Sequence, residues 1–337
     1  MRILIAGLGA IGQRHARNLR GLPGAIDLLA YRQRRLPQLL TDSMGRDDSR
    51  SVETILGIEP YTELDAALAA APDAVFICTP TSQHLALAQR AADAGCHLFI
   101  EKPVSQSVEG TSLLFDTVME KRLVALVGCQ WRFHPCVLAL KQLLAAGALG
   151  ELEGAEIDYA EYLPDWHPYE DYRSSYAARV DLGGGVVLTQ IHDYDLAYWL
   201  FGAPHAVRAT GGRLSDLEID VEDTVEALLE TGAGTVRVRQ CFASRSSRRS
   251  IFVRGTRACA TLDLLAARLT VEPPLASGLH LPDYQRNTMF VDEVSHFLRC
   301  VAGQESPVIP LSDGITVLRI ALAVKESMIS GRTVDLT

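Results

Sequence analysis

The stretch MRILIAGLGAIG, residues 1–12, decides how the chain is read. Residues 2–6 (RILIA) are a short apolar run ending in glycines, the pattern of a strand buried in a parallel sheet. Residues 10–20 then switch to helical spacing, with Ile11, Ala16 and Leu19 apolar among polar neighbours. Between them lies Gly7-Leu8-Gly9-Ala10-Ile11-Gly12, a GxGxxG loop in strand–loop–helix context. Gly7 permits the tight turn, Gly9 lets backbone approach a pyrophosphate, and Gly12 lets helix pack close on strand. The helix start adds amide donors and a positive dipole end. Gly7, Gly9, Ala10, Ile11 and Gly12 are therefore expected to cradle a dinucleotide. The opening is not expected to be a signal peptide: its basic region is minimal, and QRHARNLR follows where small residues would mark cleavage.

The second strand, IDLLAY at 26–31, bears on which dinucleotide. An acid about 20 residues past the glycines binds a ribose 2′-OH in NAD sites. Here the chain reads Ala30-Tyr31-Arg32-Gln33-Arg34-Arg35. Arg32 could pair with a 2′-phosphate, so NADP is expected ahead of NAD.

Outward from there, strand-like and helical runs alternate to about residue 128, which predicts a parallel α/β sheet. After about residue 150 strand-like runs follow one another with short turns, which predicts a large, mostly antiparallel open sheet in an α+β domain. Two helices close the chain. The expected division is 1–125 and 126–337, with the last helices packing back on the first part. SRSSRR, 244–249, is expected to be a solvated hairpin turn.

The chain has 337 residues, 48% hydrophobic, with a net charge of −9, which argues against nucleic acid or an anionic membrane as partner. Seven cysteines without a CxxC pair point to a reducing compartment, and no run is apolar enough to span a membrane, so a cytoplasmic protein is expected.

Three further motifs follow predicted strands and so would face the cofactor crevice. They are CTPTSQH at 78–84, with Thr79, Pro80, Thr81 and His84; Glu101-Lys102-Pro103; and GCQWRFHP at 128–135, with Gln130 and Arg132. A fourth, GGGVVLTQIHDYDLAYWLFG at 183–202, reads as a buried helix carrying His192. Together with the glycine loop, the ordered elements TPT..H, EKP, QWRFHP and GGG…H…D resemble the glucose–fructose oxidoreductase / inositol dehydrogenase / MocA (Gfo/Idh/MocA) family over nearly the whole chain. The resemblance implies a Rossmann domain followed by an open-sheet domain, NAD(P)-dependent oxidation or reduction of a sugar, polyol or nucleotide-sugar-type substrate, and a catalytic pair, here Lys102 and His192. It also implies a homodimer or homotetramer.

Hydride transfer at a CH–OH group asks for such a pair independently: a histidine to move the proton and an ammonium to steady the oxygen. The family's aspartate one turn before the histidine is replaced here by Leu188. The segment 161–185, dense in aromatic and charged residues, is expected to meet a sugar-like substrate through Trp166, His167, Tyr172, Arg173 and Tyr176, with Gln190 contributing from the helix. His192 and Asp195 share a helix face but are too few for a metal site, and none is expected. An NAD-dependent glycosidase and a non-catalytic nucleotide sensor are the alternatives.

Overall fold

Short runs of Leu, Ile, Val and Phe, buried on both faces, build the first half. The computed structural model describes residues 1–32, 39–40, 46–47 and 51–336. β1 (Arg2–Ala6) passes through the glycine loop into α1 (Ala10–Gly21) and β2 (Asp27–Tyr31). A small antiparallel pair, β3 (Leu39–Leu40) and β4 (Arg46–Asp47), precedes α2 (Val52–Leu56), β5 (Ile58–Tyr61) and α3 (Leu64–Ala69). Then come β6 (Ala74–Ile77), α4 (His84–Asp93), β7 (His97–Glu101), α5 (Thr111–Glu120) and β8 (Ala125–Gly128). The strands pair in parallel in the order β5-β2-β1-β6-β7-β8. The order reverses between β1 and β6, and a crevice opens at the carboxyl ends of these strands. The expected division at 125/126 falls on the first residue of β8, and the parallel sheet runs on to Gly128.

The second half begins with α6 (Pro135–Ala145) and β9 (Leu152–Tyr162). The stretch 183–202 is not one helix but two, α7 (Val186–Thr189) and α8 (His192–Phe201), broken at Gln190 and Ile191. β10 (Pro204–Gly212), β11 (Thr224–Thr231), β12 (Gly234–Cys241), β13 (Ala243–Gly255), β14 (Cys259–Asp263), β15 (Arg268–Glu272) and β16 (Leu279–His280) follow. α9 (Asn287–Val301), α10 (Leu311–Ser330) and β17 (Val334–Asp335) close the chain. The nine strands run β16-β15-β14-β13-β9-β12-β11-β10-β17, antiparallel except for the parallel pair β9 and β12.

One face of this sheet packs on α6, α7, α8 and α10 through residues such as Val137, Leu188, Leu196, Val238 and Leu318. The other face carries ion pairs, including Arg237–Glu226 (2.8 Å) and Arg248–Asp158 (3.1 Å). Residues 244–249 are not a free turn. They open β13 across a register shift against β9, and Arg249 is 5% exposed. Arg249 shares the inward face of β13 with Ile251 and Val253. α9 joins the first half: Phe297 stands edge-on to the stacked rings of Phe76 and Phe99, at 5.3 and 5.6 Å. Among the described residues no helix is long and apolar enough to cross a membrane.

Candidate active site

The glycine loop shows three separate reasons for three glycines. Gly7 has φ +100°, and a Cβ there would lie 2.7 Å from the Cys78 carbonyl oxygen. A Cβ on Gly12 would run into the carbonyl of Gly7, so Gly12 works from beneath the loop and does not line the cleft. A Cβ on Gly9 would meet nothing within 4 Å. The open space over Gly9 faces the cleft, which leaves room for a ligand to approach the backbone. α1 starts at this point with no side-chain cap and no acid in its first turn. Its first amides are free to meet an anion, so the loop fits a dinucleotide pyrophosphate.

Gly7, Gly9, Ala10 and Ile11 form one end of a cleft of about 1070 Å³. Tyr31 and Arg32 line it at the end of β2. The Arg32 guanidinium is paired with Glu53, from the first turn of α2. An acid does reach the end of β2, delivered by the following helix. The pair competes with the 2′-phosphate contact expected of Arg32. Arg34 and Arg35 lie outside the described residues.

Thr79, Pro80, Thr81, His84, Glu101, Lys102 and Gln130 all line the same cleft. His84 is also a brace. Its Nδ1 lies 2.7 Å from the Pro103 carbonyl and its Nε2 2.7 Å from that of Thr79, tying the loop after β6 to the loop after β7. Burial pulls its pKa below the usual histidine value while these carbonyls push it back. Buried Glu101 lies 2.7 Å from His15 Nε2, under α1.

Arg132 departs from expectation. It is 2% exposed and does not line the cleft. Its Nε and Nη2 donate to Asp195 (3.0 and 2.6 Å), and its Nη1 donates to Asp313 (2.8 Å) and to the Val308 carbonyl (2.9 Å). These acceptors occupy the guanidinium, which fastens the loop after β8 to α8 and α10. Asp195 is thus an arginine partner. Among the described residues no group of three or more His, Cys, Asp or Glu is placed to hold a metal.

Lys102 and His192 meet in the cleft from the two halves of the molecule. Lys102 Nζ donates to the Thr189 carbonyl at 2.8 Å. The break after α7 makes this possible, because the Asp193 amide bonds Gln190 O instead of Thr189 O. Leu188 is core, 3% exposed, and no ion pair to Lys102 exists among the described residues. His192 is 5% exposed, and its Nδ1 is buried without a partner. Burial, and then the charges of Lys102, Arg249 and Arg286, hold its pKa well below the usual histidine value. The imidazole is therefore neutral at neutral pH and able to accept a proton. Gln240 Nε2 fixes the break from behind, donating to Gln190 O (2.7 Å) and Asp193 Oδ2 (2.9 Å).

Residues 1–129 match the model of an oxidoreductase family with an NAD-binding Rossmann fold, and residues 137–261 match the Gfo/Idh/MocA C-terminal domain. The chain belongs to the Gfo/Idh/MocA family. It is 28% identical over 351 residues to scyllo-inositol 2-dehydrogenase (NAD(+)) of Bacillus subtilis, spanning all of this chain and 96% of that one. A solved UDP-N-acetylglucosamine 3-dehydrogenase from Acidithiobacillus ferrooxidans superposes with a TM-score of 0.78 at 25% identity, covering 98% of each chain. Levoglucosan dehydrogenase in complex with NADH superposes with a TM-score of 0.86 at 18% identity, covering 100% of this chain and 99% of that one.

In this Gfo/Idh/MocA member the far end of the cleft is only partly made by the residues expected there. Trp166, His167, Tyr176 and Gln190 line it. Trp166 is held edge-on to Phe242 at 5.1 Å. Tyr172 and Arg173 do not line it. Arg173 pairs outward with Asp171 (3.0 Å) and Glu218 (2.5 Å), and the Tyr172 hydroxyl accepts from the Glu218 amide at 3.2 Å. Their place is taken by residues the sequence reading passed over: Trp131, Tyr162, Arg245, Arg249 and Arg286. The available signal was Arg245, Ser247 and Arg249 at every second position, a strand face misread as a turn.

Proposed function

We propose that this chain is a dehydrogenase that moves hydride between a nicotinamide cofactor and a CH–OH carbon of a sugar- or polyol-like substrate, with Lys102 and His192 handling the substrate oxygen and its proton. One observation carries the reading: Lys102 and His192 line a single cleft whose other end is the open glycine loop. Bound nicotinamide supplies the hydride acceptor or donor. The protein's part is orientation and proton transfer. Neutral His192 accepts the hydroxyl proton during oxidation, or returns it in the reverse direction from its protonated form. Lys102, positioned through Thr189, keeps further N–H donors for the substrate oxygen and steadies negative charge developing there. Trp166 and Tyr176 supply aromatic surface for a ring.

The Arg32–Glu53 pair favours NAD over NADP, since a 2′-phosphate would have to displace a carboxylate. The scyllo-inositol dehydrogenase relative, named for NAD(+), supports both the cofactor and a polyol substrate. The test is a screen of inositols, aldoses and nucleotide sugars with both cofactors, following the absorbance of reduced nicotinamide. Product release without that absorbance change, or turnover unaffected by Lys102→Ala and His192→Ala, defeats the reading.

A further inference from the structure

The substrate end of the cleft holds more positive charge than proton transfer at one oxygen requires. Arg249 is 95% buried (5% exposed), with its guanidinium over the rings of Tyr159 (4.5 Å) and Trp131 (4.9 Å). Its Nη2 bonds the Gln190 side chain. Its Nη1 lies 3.4 Å from Asp193 Oδ1 and has no hydrogen-bond partner. Arg286, just ahead of α9, approaches the same Trp131 ring at 5.9 Å. It makes no hydrogen bond or ion pair among the described residues. Arg245 lies over the Tyr162 ring at 4.1 Å and donates to that neutral hydroxyl (3.2 Å). Of the three, Arg249 has Asp193 within ion-pair range, whereas Arg245 and Arg286 lack, among the described residues, the carboxylate partner that Arg179, Arg237 and Arg254 find elsewhere. Here Glu161 is the carboxylate sharing both cavities with them, and it accepts from the Tyr159 hydroxyl at 3.1 Å.

A side chamber of about 160 Å³ opens at this point, sharing Trp131, Glu161, Arg249 and Arg286 with the main cleft. That is several times the ~30 Å³ that one water occupies in the liquid. His134 also lines it. The His134 Nδ1 accepts from the Cys136 amide (3.2 Å), which puts the ring proton on Nε2, and Nε2 is buried without a partner. Two donors at the chamber make no hydrogen bond: the Arg249 Nη1–H, whose ion-pair partner Asp193 Oδ1 stands 3.4 Å away, and the His134 Nε2–H. A buried donor left unsatisfied is costly, and a planar guanidinium held between aromatic faces is preorganised for an oxyanion.

We infer that the substrate carries an anionic substituent, a carboxylate or a phosphate, and that Arg249 and Arg286 hold it at the mouth of this chamber while its hydroxyl faces Lys102 and His192. The inference rests on the cleft being the substrate site, and it adds the substrate class. Charge-assisted hydrogen bonds of this kind are the strong ones, and two arginines at one chamber favour an anionic substrate over a neutral sugar.

The test is calorimetric titration of the NAD-bound protein with D-glucose, D-glucuronate and D-glucose 6-phosphate. At least one anion is expected to bind tenfold or more tighter than glucose, with a preference that falls as salt is raised. Glucuronate alone showing it identifies a carboxylate site; the phosphate alone identifies a phosphate site. Arg286→Gln, at the open side of the chamber, should bring the preference within threefold, and Arg286→Lys should restore part of it. Melting curves confirm that both variants fold. Equal binding of all three probes, no tighter binding of either anion, or a preference untouched by Arg286→Gln overturns the inference. The dehydrogenase reading fails separately: a protein that oxidises neutral polyols with full dependence on Lys102 and His192 keeps it while losing the anionic substrate.

Discussion

The ammonium of Lys102 donates to the backbone carbonyl of Thr189 across 2.8 Å, joining the loop after β7 to the end of α7. With Leu188 where the family's aspartate would stand, the lysine meets a peptide dipole. The carbonyl orients Nζ without neutralising it, so the full positive charge remains for the substrate and for His192. Lys102→Ala and His192→Ala are each expected to lower turnover by roughly 10²–10⁴-fold, the usual contribution of a positioned proton-transfer group. Cofactor affinity, measured by fluorescence titration, should stay within a few-fold.

The pH profile follows from the depressed His192 pKa. Burial and three neighbouring cations keep the imidazole neutral to well below the usual histidine value of 6.5. A neutral base is competent, so the acid limb of kcat/KM for oxidation should fall below pH 6.5. An acid limb centred at or above that value contradicts the role. His134 adds a stability effect of defined sign. Burial lowers its pKa to about 4, so its contribution is fully present above 6.5 and is lost as pH falls from 6.5 towards 4. His134→Asn keeps a capping acceptor for α6 without titrating in this range. It should flatten the fall of Tm over that range by an amount worth at most about 3 kcal/mol.

Two glycines of the nucleotide loop should separate binding from folding. Gly9→Ala meets no protein atom, so its Tm should match the wild type while the Kd for the dinucleotide rises at least tenfold. Gly12→Ala meets the Gly7 carbonyl, so it should lower Tm as well. Equal stability losses in the two would contradict the division of roles.

Cofactor choice is expected to turn on one carboxylate. Glu53→Gln removes the carboxylate paired with Arg32 and should raise kcat/KM for NADP relative to NAD about tenfold or more. Arg32→Gln should remove that gain when combined with it. An unchanged ratio in Glu53→Gln assigns the selectivity to residues other than this pair.

The buried Arg132–Asp195 pair is expected to matter for stability, because removing one partner leaves an uncompensated charge. Asp195→Ala should cost about 3–5 kcal/mol in denaturant unfolding.

Much of this molecule was legible because its causes are local. The glycine loop, the strands buried on both faces and the positions after β6 and β7 follow from neighbouring residues and periodicity. What escaped depends on partners far along the chain. Arg132 resembles a cofactor contact until Asp195 and Asp313 take it up. The sequence from Val186 to Phe201 contains neither glycine nor proline, so nothing local announces a break at Gln190. Lys102 takes up the Thr189 carbonyl that the break frees, and Gln240 adds a second bond to the Gln190 carbonyl that accepts the Asp193 amide. Arg249 was hidden because the polar, basic run 244–249 reads as a turn, although Arg245, Ser247 and Arg249 alternate as a strand face does. Tyr172 and Arg173 have the right chemistry, but their 3₁₀ turn packs them outward against Glu218.

The broken helix has an electrostatic consequence of its own. His192 is the first residue of α8, so it sits at the positive end of that helix's dipole. The acids in that first turn, Asp193 and Asp195, are both faced by arginines. A proton arriving on the imidazole thus meets a permanent field that neither titrates nor depends on a side chain. In an unbroken helix the same histidine would stand mid-span, away from that field. The interruption makes the backbone itself a part of the acid–base machinery, a part that no single substitution at the site can remove.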